Sequence, residues 1–444
     1  MRAGRRLRLA PMNTAILLAA GFGTRMKSAM PKALHRIAGR PMLAHLIGSC
    51  AGVFDRIVVV VGPGMDALAA VAAPHAVVVQ QDRLGTAHAA LQAAAQFGTG
   101  DVAVLYADNP LIRPDTLRRL LTARQDAGLA LLAMRPADAG RYGRVVMDGA
   151  DVTRIVEWAD ATEDERAIGL CNAGVLCGPA PAFARWLHQV QPSPKGEYYL
   201  TDCVALARAD GVRVAAVEAP ASELRGVNSR AELADAEATV QGWLRGAAMA
   251  GGATLTAPDT VMLSADTTLA PDTIVGPHVV FGPGVTVATG AEIRAFSHLE
   301  GCAVHAGAVI GPYARLRPGT VVEADAHVGN FVELKATTLG VGAKANHLSY
   351  LGDSSIGPGT NIGAGTITCN YDGYAKHRTT IGAGVFVGTA TVLVAPVTLG
   401  DGAFVAAGSV ITADVAPDAM AFGRAKQTVK PGRAALYRAA RKKV

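Results

Sequence analysis

Two hydrophobic rhythms divide the chain. Between residue 13 and about residue 227, short apolar runs alternate with segments of helical spacing. From Leu269 to Ile411 an aliphatic residue instead returns almost every six positions, often followed by Gly, as in Val275-Gly276, Ile310-Gly311, Ile356-Gly357, Ile381-Gly382 and Leu399-Gly400. The first rhythm predicts an α/β domain with a mostly parallel sheet. Its candidate strands run from Asn13 to Ala19, Arg56 to Val61, Ala76 to Val79, Val102 to Tyr106, Leu129 to Met134 and Val212 to Val217. Candidate helices open at Thr86 (Ala87 to Phe97) and at Pro114 (through Ala123). The second rhythm predicts a parallel β-helix, because six residues supply one short strand and one tight turn, and three such units close a triangular coil. A span of roughly 140 residues at ~18 per coil gives about eight coils, a prism roughly 40 Å long at ~4.8 Å per strand. Between the two rhythms, Ser229-x-x-Glu232 reads as a capping box opening a helix that reaches about Met249, where Gly251-Gly252 stops it. The predicted organisation is a domain over 12–227, a linker helix over 228–252 and a β-helix with a basic tail over 253–444.

Composition sharpens this picture at three points. The chain has 444 residues, half of them hydrophobic, enough for two cores. The net charge of +6 is compatible with nucleic acid, a membrane surface or anionic small molecules. Much of it sits at the ends, in Arg2, Arg5, Arg6 and Arg8 and in a tail from Arg424 to Lys443, and no interleaved aromatics or known motif support nucleic-acid binding. The six cysteines are dispersed without metal-ligand or disulfide spacing, so reduced thiols in a cytoplasmic protein are expected. The apolar run from Ala15 to Ala20 is too short for a secretory leader, and no run approaches the ~18 apolar residues of a spanning helix.

The first candidate strand ends in Leu18-Ala19-Ala20-Gly21-Phe22-Gly23-Thr24-Arg25-Met26, followed by Pro31-Lys32. Small residues there let backbone N–H groups approach a phosphate, and Arg25 and Lys32 supply positive charge. The string is neither a Walker loop nor a dinucleotide fingerprint. It resembles the signature of sugar nucleotidyltransferases, which join a sugar 1-phosphate to a nucleoside triphosphate. Gln80 with Leu84-Gly85-Thr86-Ala87-His88 resembles the uracil-reading segment of the uridylyl branch. Tyr106-Ala107-Asp108 ends a strand, where α/β sheets place ligands. The resemblance implies that Asp108 and Asn228 hold Mg²⁺, and that Gly143, Glu157 and Asn172 hold the amino sugar. Leu18, Ala19, Gly21, Gly23, Arg25, Lys32, Gln80, Gly85, Thr86, Tyr106 and Ala107 would surround UTP and UDP-N-acetylglucosamine. The family usually carries Gly where Ala107 stands.

In the second half the chemistry lies where the repeat is broken, since polar insertions in a solenoid project from one face. The break falls between Thr368 and Thr380 and holds Cys369-Asn370-Tyr371-Asp372-Gly373-Tyr374-Ala375-Lys376. Upstream, Arg317, the Asn330 to Lys335 string and the Lys344 to Tyr350 string place titratable groups on successive coils. These strings resemble the acetyltransferase half of the bifunctional N-acetylglucosamine-1-phosphate uridyltransferase/glucosamine-1-phosphate acetyltransferase family. The resemblance covers about residues 12 to 430 and implies a left-handed β-helix, a homotrimer and acetyl-CoA as second substrate. It implies His347 as the base, with Glu333 orienting it, and Arg317, Lys335, Tyr350, Asn361 and Lys376 around glucosamine 1-phosphate. Ala364, Thr389, Ala407 and Arg424 would line the acetyl-CoA groove, with Asn370 and Tyr371 between sugar and coenzyme. Thr389 stands where Ser is expected and Asn346 where Gly is expected. Lone histidines such as His278, His298, His305 and His327 are expected at the surface. The alternatives are a sugar-1-phosphate nucleotidyltransferase whose β-helix is only a scaffold, and a non-enzymatic assembly subunit that would lack Lys32, Asp108 and His347.

Overall fold

A computed structural model of the chain describes residues 11–194 and 196–441. Arg2, Arg5, Arg6, Arg8, Lys442 and Lys443 of the basic ends lie outside the described residues. Residue contacts divide the chain into two units, one ending at Gln241 and the other beginning at Gly242.

The first unit is built on β1 (Thr14–Leu18), β2 (Arg56–Val61), β3 (Ala76–Val79), β4 (Asp101–Tyr106), β5 (Gly128–Met134), β6 (Arg144–Asp148), β7 (Asp151–Val156), β8 (Cys171–Pro179) and β9 (Arg213–Glu218). They form one sheet in the order β9-β5-β8-β4-β1-β2-β3, with β6 pairing β8 and β7 at the side. Ile16, Val58, Val60, Val102 and Val104 pack into a core on one face. Leu17, Val59, Val61, Ala103 and Leu105 pack on the other. A sheet buried on both faces needs apolar residues at successive positions, which is why these strands read as continuous aliphatic runs. All six candidate strands are present within a residue or so of their expected ends. The expected helix from Ala87 to Phe97 is shorter, Thr86–Gln92 followed by a 3₁₀ turn at Ala94–Gln96, and the Pro114 helix is longer, ending at Ala127.

The sequence did not signal β6, β7 or β8. The last lies centrally, antiparallel to both β4 and β5, yet its residues Cys171-Asn172-Ala173-Gly174 have poor strand propensity. Its place is set by partners on both sides rather than by its own preference. Beyond β9 runs a helix, Arg230–Ala250, about 31 Å long at ~1.5 Å per residue. Its start departs from the expected box. The Glu232 N–H donates to Ser229 Oγ (3.2 Å), but the Glu232 carboxylate accepts from the N–H of Asn228 (2.6 Å) rather than that of Ser229.

The second unit is a parallel β-helix whose described strands stack in three sheets of ten, eight and eight strands. It begins earlier and ends later than the hexads suggested, from Thr254–Leu255 to Met420–Ala421. The terminal coils lack the aliphatic-Gly punctuation, and their pairing with full coils recruits them. One inward residue per strand builds the core: Val275, Phe281, Val287, Ile293 and Leu299 all lie inside it at six-residue spacing. Buried hydroxyls at the corners bond to carbonyls of neighbouring coils, as Thr337 Oγ1 does to Leu351 O (2.9 Å). At one corner His278, Phe296, Tyr313 and Phe331 stack ring on ring at 4.8, 5.0 and 5.3 Å, so His278 is part of an exposed aromatic ladder. The repeat is interrupted over a shorter stretch than expected. Thr368 is buried in the strand Ile367–Cys369, and pairing resumes at Thr379–Ile381, leaving 370–378 as the loop.

Candidate functional site

Register brings the first constellation together. β1 pairs β4 with Leu18 opposite Tyr106, so both carboxyl ends emerge side by side. The chain then stays tethered: Ala107 N–H donates to Leu18 O (3.0 Å) and Ala19 N–H to Val60 O (2.7 Å). Above this edge opens a cleft of about 420 Å³ that gathers Leu18, Ala19, Gly21, Lys32, Gln80, Gly85, Thr86, Tyr106, Ala107 and Asp108. Gly23 supports Lys32 from behind: its φ is +70°, and a Cβ there would lie 2.6 Å from Lys32 Cβ. Gln80 is buried and its Nε2 donates to Gly85 O (3.2 Å), so its amide is already oriented by the loop. Gly85 has φ +107°, and a Cβ would meet Tyr198 O at 2.5 Å. Gly85→Ala is therefore expected to displace the loop and lower any reaction that uses this cleft by about tenfold, read as kcat/KM, while leaving the β-helix unit untouched.

Lys32 sits at the centre. Its ammonium is ion-paired to the Asp108 carboxylate and donates to Asn228 Oδ1 at 2.9 Å. Both acid and base side chains are more than four-fifths buried. Two oxygen donors that converge on one cation form a seat for a cation, and a carboxylate with an amide oxygen is a donor set suited to a hard divalent ion. Asn109, which the sequence reading passed over, ties this seat together: its buried Nδ2 donates to Leu224 O (2.6 Å) and Ala173 O (3.3 Å). Asp108 O in turn accepts from Val227 N–H (2.7 Å). Arg25 does not line the cleft with Lys32. It borders a second hollow of about 470 Å³ with Tyr142, Arg141, Glu232 and Asn228. Arg83, also unforeseen, lies across the glycine loop, donating to Ala20 O (2.8 Å) with its guanidinium 3.9 Å over the Phe22 ring.

Gly143, Glu157 and Asn172 form a linked set beside the cleft. Asn172 N–H donates to Gly143 O (2.8 Å), and the Glu157 carboxylate accepts from Thr201 Oγ1 (3.3 Å). Burial holds the Glu157 carboxyl above the usual range, against the hydrogen bond from Thr201. The link to the cleft runs through Gly174, where a Cβ would strike the Tyr106 ring at 2.3 Å and whose N–H donates to Asn172 Oδ1 (3.0 Å). Burial raises the Tyr106 phenol, keeping it a neutral donor.

In the second unit, coil stacking sets what meets. Asn330 and His347 are register partners on adjacent coils, and Asn330 Oδ1 lies 3.0 Å from His347 Nδ1. An amide oxygen there accepts a hydrogen bond from Nδ1–H, which leaves Nε2 with the free lone pair. Glu333 does not orient His347 within this chain. It belongs to another sheet, in register with Tyr350, and its carboxylate is taken by Arg317 Nη1 (2.9 Å) and Arg315 Nη1 (3.5 Å). The 17-residue coil offset from 330 to 347 was present in the sequence and would have found Asn330. Above His347 the same edge continues upward: Ala390 N–H donates to Ala364 O (2.7 Å) and Gly408 N–H to Thr389 O (2.8 Å). A Cβ on Gly388 would lie 2.4 Å from Ala407 N, and one on Gly408 would lie 3.8 Å from Arg424 Cδ. Ala364, Thr389, Ala407 and Arg424 thus rise in one column of mostly small side chains. Asn346 presses its carbonyl on the neighbouring coil, where a Cβ on Gly329 would lie 1.9 Å from it.

Lys335 pairs with Asp353 Oδ1 (2.7 Å), and Lys376 lies beside it. The hydrogen bond to Asp353 raises the Lys335 ammonium, whereas the neighbouring Lys335 lowers that of Lys376. Arg317 also acts on Lys376, so three cations share this region. Asn370 Nδ2 lies 3.5 Å from Tyr350 Oη. Asp372 pins the loop by accepting from Tyr374 N–H (2.8 Å), Ala375 N–H (2.7 Å) and His377 Nε2 (2.7 Å), which holds its carboxyl far below the usual range. Tyr371 Oη donates to Gly373 O (2.6 Å). Asn361 is not part of this cluster: it stands on the sheet of His347, between Lys344 and Phe386.

These two constellations, a nucleotide-type cleft and a titratable β-helix edge, define a transferase with two separate sites. Residues 15–173 match the MobA-like NTP transferase domain family, and residues 378–413 match the bacterial transferase hexapeptide family of six repeats. The hexapeptide match identifies the second unit as a left-handed parallel β-helix. The chain is 70% identical over 434 residues to the bifunctional protein GlmU of Gluconacetobacter diazotrophicus, covering 96% of this chain and 94% of that one. It is 62% identical to that of Acidiphilium cryptum, covering 96% and 98%, and 56% identical to that of Rhodospirillum rubrum, covering 96% and 97%. The chain belongs to the bifunctional GlmU family. Among the described residues no helix is long and apolar enough to cross a membrane.

Proposed function

We propose that the chain makes UDP-N-acetylglucosamine in two steps, acetylating glucosamine 1-phosphate with acetyl-CoA and then transferring UMP from UTP to the product with release of pyrophosphate. The observation that carries this reading is that each half of one chain, matched along its length to bifunctional relatives, has its own convergent polar set.

In the acetyl transfer, Nε2 of His347 takes the proton of the glucosamine ammonium while Asn330 holds Nδ1–H. The neutral amine then attacks the thioester carbonyl, and coenzyme A leaves as the thiol. Arg317, Lys335 and Lys376 supply charge for a phosphate dianion, and Tyr350 and Asn361 complete the sugar contacts. The column Ala364, Thr389, Ala407 and Arg424, with Asn370 and Tyr371, leaves room for the coenzyme and ends on a cation for its phosphates. Within one chain Asn361 and the Lys335 cluster stand on different sheets. A sugar pocket needing both is completed by a neighbouring copy, which favours the homotrimer.

In the uridylyl transfer, the Gly21 to Gly23 loop and Lys32 bind the triphosphate, and Arg25 enters from its own hollow. Gln80 and the Gly85-Thr86 loop read the uracil edge. Gly143, Glu157 and Asn172 hold the amino sugar so that its phosphate oxygen lies in line with the α-phosphorus. Asp108 and Asn228 would hold Mg²⁺, and the ion supplies charge neutralisation on the phosphates. The convergence of both oxygens on the Lys32 ammonium supports that assignment. Mass spectrometry of products from glucosamine 1-phosphate, acetyl-CoA, UTP and Mg²⁺, with each omitted in turn, tests the whole scheme. UDP-N-acetylglucosamine is expected only from the full mixture; UDP-glucosamine formed equally well without acetyl-CoA would refute the order of steps.

A further inference from the structure

Asp353 has no assigned part in the scheme above, yet it is the hub of the Lys335 cluster. Its Oδ1 accepts from Lys335 Nζ (2.7 Å) and its Oδ2 from Asn370 Nδ2 (2.5 Å). Lys335 arrives from the coil below and Asn370 from the loop that interrupts the repeat. Two local features let this meeting happen. Asp353 has φ +50°, a left-handed conformation that Asp and Asn tolerate better than other side chains. Gly352 beside it leaves space in which a Cβ would lie 2.5 Å from Tyr350 Oη and 2.6 Å from Asn370 Nδ2.

We infer that Asp353 is a positioning residue that couples the two substrate sites of the acetyltransferase, aiming Lys335 at the sugar phosphate and fixing the amide of Asn370 toward the coenzyme. The inference rests on the proposed acetyl transfer. A carboxylate accepts at both oxygens, so the hydrogen bond to Asp353 commits the Asn370 amide nitrogen inward and leaves Oδ1 as the outward acceptor. An acceptor facing the groove suits the amide N–H groups of a pantetheine arm. The same carboxylate restrains the long Lys335 side chain, whose free rotamers would otherwise cost entropy on binding a phosphate.

Substitution by Asn separates the two roles. Asn at 353 keeps one oxygen, which the Lys335 ammonium takes because a charge-assisted hydrogen bond outweighs a neutral one. Its NH₂ group then faces the NH₂ of Asn370, which turns over and presents a donor to the groove. In the full chain, Asp353→Asn is expected to raise KM for acetyl-CoA by about tenfold and to change KM for glucosamine 1-phosphate by no more than about twofold. Asp353→Ala is expected to raise both KM values, and uridylyl transfer by both variants is expected to match that of the parent chain, which reports on folding. A purely structural carboxylate would lower kcat or shift both KM values together in Asp353→Asn, and either result overturns the inference, as does an unchanged KM for acetyl-CoA. Failure of the unsubstituted chain to release thiol from acetyl-CoA would instead overturn the proposed acetyl transfer.

Discussion

His347→Ala is expected to lower acetyl transfer by roughly 10²–10⁴ while uridylyl transfer continues at its normal rate. The amine of glucosamine 1-phosphate is protonated near neutral pH and has no lone pair to attack a thioester until a base accepts its proton. The Asn330 contact at 3.0 Å on Nδ1 aims the imidazole lone pair at Nε2 outward. His347 is exposed at the end of its strand and contributes nothing to the interior of the β-helix. Its loss should therefore leave the fold intact, and thiol release from acetyl-CoA, measured beside pyrophosphate release on the same preparation, separates chemistry from folding. Equal loss in both assays would contradict the assignment. Asn330→Ala frees the ring to rotate and exchange tautomers, so a smaller loss of about tenfold is expected.

The second large effect is expected at Asp108. Asp108→Ala removes the carboxylate from the seat it forms with Asn228 and leaves the mostly buried Lys32 ammonium with a single neutral acceptor. Pyrophosphate release from UTP and N-acetylglucosamine 1-phosphate should fall on the order of 10²–10³, the range seen when a group that stabilises transition-state charge is deleted. Acetyl transfer should persist. Near-normal pyrophosphate release at saturating Mg²⁺ would exclude Asp108 from the cation seat. Asp108→Asn keeps the shape and an acceptor oxygen but loses the charge, and an intermediate rate is expected from it.

Much of this molecule was legible as sequence because its periodicities are strong. Six strands of the first unit announced themselves as aliphatic runs, and for the inner four, β1, β2, β4 and β5, the reason is that strands covered on both faces need apolar residues at successive positions. The hexads announced the β-helix, since each six-residue step puts an inward residue on the next of three walls and every third step returns to the same one. β8 did not, because a Gly- and Asn-containing segment is a strand only when β4 and β5 supply partners on both sides. Glu333 shows the same dependence on pairing: the resemblance implies that it orients His347, but within this chain it stands on another sheet, with its carboxylate taken by Arg317.

The sequence by itself determined the two architectures and the helix between them, because hydrophobic period and helix-start signals are local properties of the chain. Only the tertiary structure decided the pairings. Coil stacking set Asn330 against His347 and Asp353 between Lys335 and Asn370, and the sheet edge with the Val227 tether brought Asp108 to Asn228 around Lys32. Such contacts join residues from 17 to 196 positions apart. Their geometry is fixed by which backbone pairs with which, and no local propensity encodes that.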